Sequence, residues 1–117
     1  AATERLSELG GNAVEGVMIA QFMDRESNSP SFLAFRQAYI ERFSMEPGFG
    51  GVTAFDATNV VLTALADKGS SQTLKQAILS HPTFVGVQSE IRFDEMGDGK
   101  RETYMTTIHN GQFLRVR

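Results

Sequence analysis

The feature that most constrains this chain is a strand-like segment with no strand near it. Residues 15–23, Glu-Gly-Val-Met-Ile-Ala-Gln-Phe-Met, carry a continuous apolar run from Val17 to Ala20. Such a run predicts a strand covered on both faces, as in a parallel sheet. A strand of that kind needs neighbours. The next strand-type segments lie about 65 residues further on, near the C-terminus. Three helical patterns fill the interval, which is not the spacing of one regular βαβ unit.

Residues 3–9 read as a short helix, with Leu6 and Leu9 on one face and Gly10-Gly11 as the stop. The chain opens directly into this helix, so an upstream portion is expected to have been removed. Ser29-Pro30 opens the next helix, Ser29 as N-cap and Pro30 at the first helical position. Phe32, Phe35, Tyr39 and Phe43 recur there at helical spacing, and Arg36, Gln37 and Glu41 mark the wetter side. That helix is expected to end near Ser44. A breaker-rich loop, Glu46 to Gly51, follows. Residues 52–66 predict a helix apolar around nearly its whole circumference, hence packed on several sides. Gly69 is its expected stop. Ser70 or Ser71 is the expected cap of a third helix through Leu74, Ala77, Ile78 and Leu79, closed by His81-Pro82.

The tail reads as β structure. Glu90 to Phe93 is a short strand, and residues 94–100 are a turn dense in Gly and Asp. In Glu102 to His109, Tyr104, Thr106 and Ile108 share one face, with Met105 and Thr107 on the other. Asn110-Gly111 is a two-residue hairpin signal, because both positions tolerate positive φ. Gln112 to Val116 returns as the last strand.

Composition excludes several function classes. The chain has 117 residues, with 14 Asp+Glu against 11 Lys+Arg, and shows no basic stripe of the kind that neutralises phosphates. A nucleic-acid partner is therefore not expected. The absence of cysteine removes disulfides, thiolate metal sites and cysteine nucleophiles. No uninterrupted apolar run reaches the roughly 20 residues of a membrane span. Residues 1–5 lack the parts of a signal peptide, so any export signal is expected upstream.

Four places in the sequence carry residues with site chemistry. The acidic turn Asp94 to Glu102 matches a calcium loop at Asp98 and Gly99 but offers Met96 where an oxygen ligand is needed, so a solvated turn is expected and no metal. His81 and His109 have no nucleophile or ligand at motif spacing, and no catalytic constellation is visible. Gly48-Phe49-Gly50-Gly51 precedes a helix but lacks the Lys-Ser/Thr of a phosphate loop. Asp56 lies on an otherwise apolar helix. A buried carboxylate needs a partner, and a neighbouring loop's backbone is the expected one.

Four stretches carry a resemblance. They are Gly11-Asn12-Ala13-Val14-Glu15-Gly16-Val17; Ser29-Pro30 with Phe35 to Tyr39 and Arg42-Phe43; Phe55-Asp56-Ala57; and Phe84-Val85-Gly86-Val87 running through Ile91 to Asp98. In order and spacing they resemble the C-terminal part of class I periplasmic solute-binding proteins of the branched-chain amino-acid (Leu/Ile/Val) type. Phe55 stands where that family usually has Tyr, and Ser89 near a usual Gly.

The resemblance implies an α/β fold that is part of a two-lobed protein. Residues 1–23 would belong to the second lobe, 24–94 to the first, and 95–117 would return as a hairpin to the second. It implies an extracytoplasmic or periplasmic protein, not an enzyme and without a cofactor, that hands a small solute to a transporter permease. Phe49, Gly50 and Thr53 would approach the ligand cleft, while the residues that grip an amino acid's charged groups would lie upstream of Ala1. Two alternatives stand beside this reading. One is a ligand-sensing region of a receptor or regulator with the same fold. The other is a non-catalytic module that self-associates as a homodimer through exposed strand edges.

Overall fold

The computed structural model describes residues 3–117, and its order is helix, strand, three helices, then β strands. Helix α1 (Glu4–Gly10) is followed by one 3-10 turn, Gly11–Val14, and by strand β1 (Met18–Gln21). Helices α2 (Pro30–Phe43), α3 (Phe49–Asp67) and α4 (Leu74–Ser80) come next. Five strands complete the chain: β2 (Phe84–Val85), β3 (Glu90–Phe93), β4 (Gly99–Lys100), β5 (Tyr104–His109) and β6 (Gln112–Arg115).

These elements form two bodies. In the first, β1, β5 and β6 make an antiparallel sheet in the order β1-β5-β6. The alternation read from β5 holds: Tyr104, Thr106 and Ile108 are buried, and Met105 and His109 are exposed. Asn110 and Gly111, at φ 50° and 76°, make the tight turn into β6. Helix α1 is tied to that turn, since the Ser7 hydroxyl donates to the Gly111 carbonyl. The Glu15 carboxylate accepts from the Asn110 N–H at 2.7 Å.

The second body is helical, with a small antiparallel sheet, β2-β3-β4, at one end. Its core has two parts. Val60, Ala64, Ala77, Phe84 and Ile91 pack where α3, α4, β2 and β3 meet. Met23, Phe32, Val52 and Val87 pack at the opposite end of α3. The Ser29 hydroxyl accepts from the Phe32 N–H and caps α2, with Pro30 at the first helical position, as the sequence implied. Ser44 closes that helix in the left-handed conformation at φ 54°.

Five local expectations are corrected, the last of them the coverage of α3. The apolar run of β1 is not a doubly covered parallel strand. Its sheet partner is antiparallel β5, and Met18 and Ala20 are exposed. Helix α3 begins at Phe49, because Gly50 and Gly51 join its first turn; Gly51 faces the Tyr39 ring so closely that a Cβ would lie 2.9 Å from it. The same helix ends at Asp67, before Gly69. Helix α4 is capped by Thr73, neither Ser70 nor Ser71, through a reciprocal box with Gln76. A further strand, β2, had no clear sequence signal; at two residues it is too short for periodicity to register.

Helix α3 is also covered on one stripe only. Val52, Asp56, Val60 and Ala64, spaced four apart, are buried, while Phe55, Leu62 and Leu65 are 44%, 57% and 50% exposed. By length and composition alone α3 could cross a membrane. Its one charge before the last residue, Asp56, is buried and paired with Arg101.

Extended shape follows from the two-body arrangement. The radius of gyration is 16.5 Å, against about 13 Å for a compact chain of this length. The accessible surface is 7753 Å², against about 6,300 Å² for a compact monomer of this mass. The chain passes between the bodies twice, in residues 22–29 and 101–103.

Candidate functional site: the groove between the two bodies

Between the bodies lies an open groove of about 550 Å³, within the usual range for a small-molecule site. Its buried floor includes Met23 and Phe32 from the helical side and Phe113 from the sheet side. Glu4, Arg25, Glu26, Arg36 and Glu46 supply the charges.

Each of the two cations is committed to a carboxylate. Arg25 lies 2.6 Å from the Glu4 carboxylate and donates to Gln21 Oε1 at 2.8 Å, with its guanidinium 4.7 Å from the Phe113 ring centre. Arg36 forks onto Glu46, its Nε–H donating at 2.7 Å, and this bond holds its pKa above the ordinary arginine value. The groove is therefore amphipathic: an apolar floor and a rim on which both cations are paired, while the third carboxylate, Glu26, accepts from the Arg115 backbone N–H.

The residues expected to touch solute sit beside this groove. Phe49 and Gly50 occupy the first turn of α3, and Thr53 lies one turn on. Phe49 is half-buried and packs on the Met23, Phe32, Val52 and Val87 core. Thr53 is half-buried on the same side of the helix as Phe49, and Gly50 is exposed with open space over its α-carbon. None of the three lines the groove itself. Gly48, immediately before them, lies against a groove residue: a Cβ there would lie 3.2 Å from Glu4 Oε2, so the sheet body touches the N-terminal end of α3. Glu4 is a surface glutamate with no motif around it, and sequence reading had no signal for that contact.

Asp56 has the partner expected of it and a second one. Its Oδ1 accepts from the Val87 backbone N–H at 3.0 Å, the neighbouring-loop bond foreseen from its buried position. Its Oδ2 accepts from Arg101 at 2.7 Å, across 45 residues of sequence. Asp56 thus holds the 86–89 turn and the second crossing together, a structural role.

The acidic turn after β3 is self-capped. Asp94 Oδ1 accepts from the N–H groups of Met96 and Asp98 at 3.0 and 2.9 Å. Among the described residues no group of three His, Cys, Asp or Glu side chains is placed to hold a metal ion. His81 lies 3.5 Å from Asp67 and His109 3.4 Å from Glu15, both near the surface. Neither pair includes a nucleophile.

Two bodies, a chain that crosses twice between them and a groove at the crossing are the arrangement of one segment in solved structures of ABC-transporter substrate-binding proteins, to which this chain is similar. A leucine-binding protein from Thermotoga maritima matches 97% of this chain with 33% of its own, at TM-score 0.81 and 26% identity. A substrate-binding protein from Desulfitobacterium hafniense, solved with Leu, matches 88% of this chain with 32% of its own, at TM-score 0.81 and 21% identity. A solute-binding protein from R. palustris, solved with benzoate, matches 95% with 32%, at TM-score 0.78 and 13% identity. The likeness to the branched-chain amino-acid type read from four motifs is borne out, and so is the α/β fold of a partial solute-binding protein. The chain spans about a third of the length of these structures. No protein-family model matches the sequence. No curated protein matches it at a significant level.

Proposed function

We propose that the chain forms part of an extracytoplasmic solute-binding protein that passes a small solute to the permease of an ABC transporter. The observation that carries this reading is the agreement with the Thermotoga leucine-binding protein over 97% of the chain. Such a role needs no acid, base or nucleophile, which fits the structural work done by Asp56 and Asp94. The solute is an amino acid or a related small carboxylate. Structures of this shape hold leucine in one case and benzoate in another, so the fold alone does not choose between them.

In this reading the two bodies belong to two lobes. Residues 4–21 and 104–115 lie in the second lobe, and residues 30–100 in the first. The return crossing falls at 101–103, because β4 still pairs with β3. Phe49, Gly50 and Thr53, which sit beside the groove and not in its lining, contribute to one wall of the solute site of the whole protein. Phe49 offers the part of its ring left uncovered by the core to an apolar side chain, Thr53 a hydroxyl, and Gly50 open space over its α-carbon for close approach. The remaining wall lies in the two thirds of the fold outside these residues. Ligand contacts from both lobes coexist only when the lobes close, so solute shifts the open–closed equilibrium.

The 117 residues alone bind leucine or benzoate weakly or not at all in isothermal titration calorimetry, whereas the longer polypeptide that contains them binds one of the two. Thr53→Val in that polypeptide weakens the binding. Micromolar affinity for the 117 residues alone contradicts the missing wall, and failure of the longer polypeptide to bind any small solute overturns the function. The open outer edge of β1 supports a homodimer of the isolated chain through strand pairing. Light scattering that reports a strict monomer over a wide concentration range rejects that dimer.

A further inference from the structure

We infer that Asp24 and Arg115 form the pivot that sets the angle between the two bodies. Asp24 lies in the first crossing and is 4% exposed. Its backbone faces one body and its side chain the other. The Asp24 N–H donates to Gln88 Oε1 at 3.0 Å, and its carbonyl accepts from Gln88 Nε2 at 2.6 Å. The Gln88 amide therefore pairs with this peptide as a neighbouring strand would, and Gln88 lies between β2 and β3 of the helical body. The Asp24 carboxylate turns toward the sheet. Its Oδ2 accepts from Arg115 Nη1 at 3.0 Å, at the end of β6.

The surroundings hold this pair in one geometry. Asp24 Oδ1 accepts from the Glu26 N–H at 3.0 Å, which bends the crossing back on itself. The Glu26 carboxylate accepts from the Arg115 backbone N–H at 2.6 Å. The Arg115 guanidinium stacks over the Tyr104 ring, 4.9 Å from its centre. If Asp24 parts from the sheet body its buried carboxylate loses its cation, and if it parts from the helical body its peptide N–H and C=O lose the Gln88 amide; either loss leaves a buried polar or charged group unpaired. The second crossing is fixed on the helical side by Arg101 and Asp56. The neighbouring Arg25–Glu4 pair is wetter, with the Glu4 side chain 54% exposed. Asp24 is thus the fixed point about which the sheet body turns.

The chain's lack of cysteine makes the test direct. Cysteines introduced at exposed Asn12 and Lys75, one on each body, take spin labels, and pulsed electron resonance reads the distance distribution between them. The unmodified pivot gives one narrow distribution. Arg115→Gln and Gln88→Ala, which release opposite sides of Asp24, each broaden it by about twofold, as freeing one tether of a hinge requires. Arg115→Lys keeps the cation and the original width. Arg36→Gln, which breaks an ion pair inside the helical body, also keeps the original width. Circular dichroism confirms that each variant retains its helix content; the Arg115 side chain is 36% exposed, so its truncation leaves the core intact. A starting distribution as broad as that of Arg115→Gln overturns the pivot. So does an unchanged width in both releasing variants.

Discussion

Arg101 and Asp56 meet at 2.7 Å at the junction of the second crossing and α3, with the aspartate side chain 2% exposed and the arginine 14%. The same carboxylate holds the Val87 N–H, so one acid satisfies two donors from different parts of the chain. Asp56→Ala strands both donors and is expected to cost roughly 3–5 kcal/mol, the range for removing one member of a buried pair. Urea unfolding followed by circular dichroism measures it. The double variant Asp56→Leu/Arg101→Met, which removes both charges, loses less than Asp56→Ala.

Phe32 is 1% exposed, whereas Phe43, on the same helix, is 54% exposed. Phe32→Ala therefore opens a cavity under α2 and is expected to cost about 3–5 kcal/mol. Phe43→Ala stays within about 0.5 kcal/mol, as surface changes do. Comparing their unfolding midpoints tests which end of the aromatic row carries the core.

Thr73 accepts from the Gln76 N–H at 3.1 Å, and the Gln76 side chain accepts from the Thr73 N–H at 2.8 Å. Thr73→Ala removes half of this box and is expected to cost about 1 kcal/mol. Ser70→Ala and Ser71→Ala change stability much less, since neither hydroxyl caps the helix. Chemical denaturation of the three variants separates them.

Burial, and next the negative charge of Glu102, hold the Tyr104 phenol above its ordinary pKa of 10.0. The folded state thus keeps the proton that the unfolded state loses first. That contribution is complete below the unfolded pKa and disappears as pH rises through the folded one. Stability is expected to fall with pH above about 10 more steeply in the parent than in Tyr104→Phe. Denaturant midpoints across that range measure the difference. The ultraviolet titration of the phenolate, parent minus variant, has its midpoint above 10.0.

Local chemistry made several elements legible in the sequence. Ser29-Pro30 announced α2 because a side-chain cap and a fixed φ act within one turn. Asn110-Gly111 announced the hairpin because positive φ is a property of single residues. Tyr104, Thr106 and Ile108 announced the buried face of β5 because alternation is set by the strand itself. The four motifs pointed to the solute-binding class because each is a short string whose spacing survives without knowledge of contacts.

What only the tertiary structure decided lies between segments far apart. The partner of β1 is β5, more than 80 residues later, and that pairing turned an apparently buried parallel strand into a half-exposed antiparallel one. The first turn of α3 packs Gly51 against the Tyr39 ring, a close approach that no helix propensity records. Glu4 at the N-terminal end of α3, Arg101 on Asp56 and Arg115 on Asp24 each join residues at least 44 apart in sequence. Propensity and periodicity report what a residue does to its own backbone. A charge finds its counter-charge only after the chain has folded back, and the sequence carries that choice as geometry spread over the whole molecule.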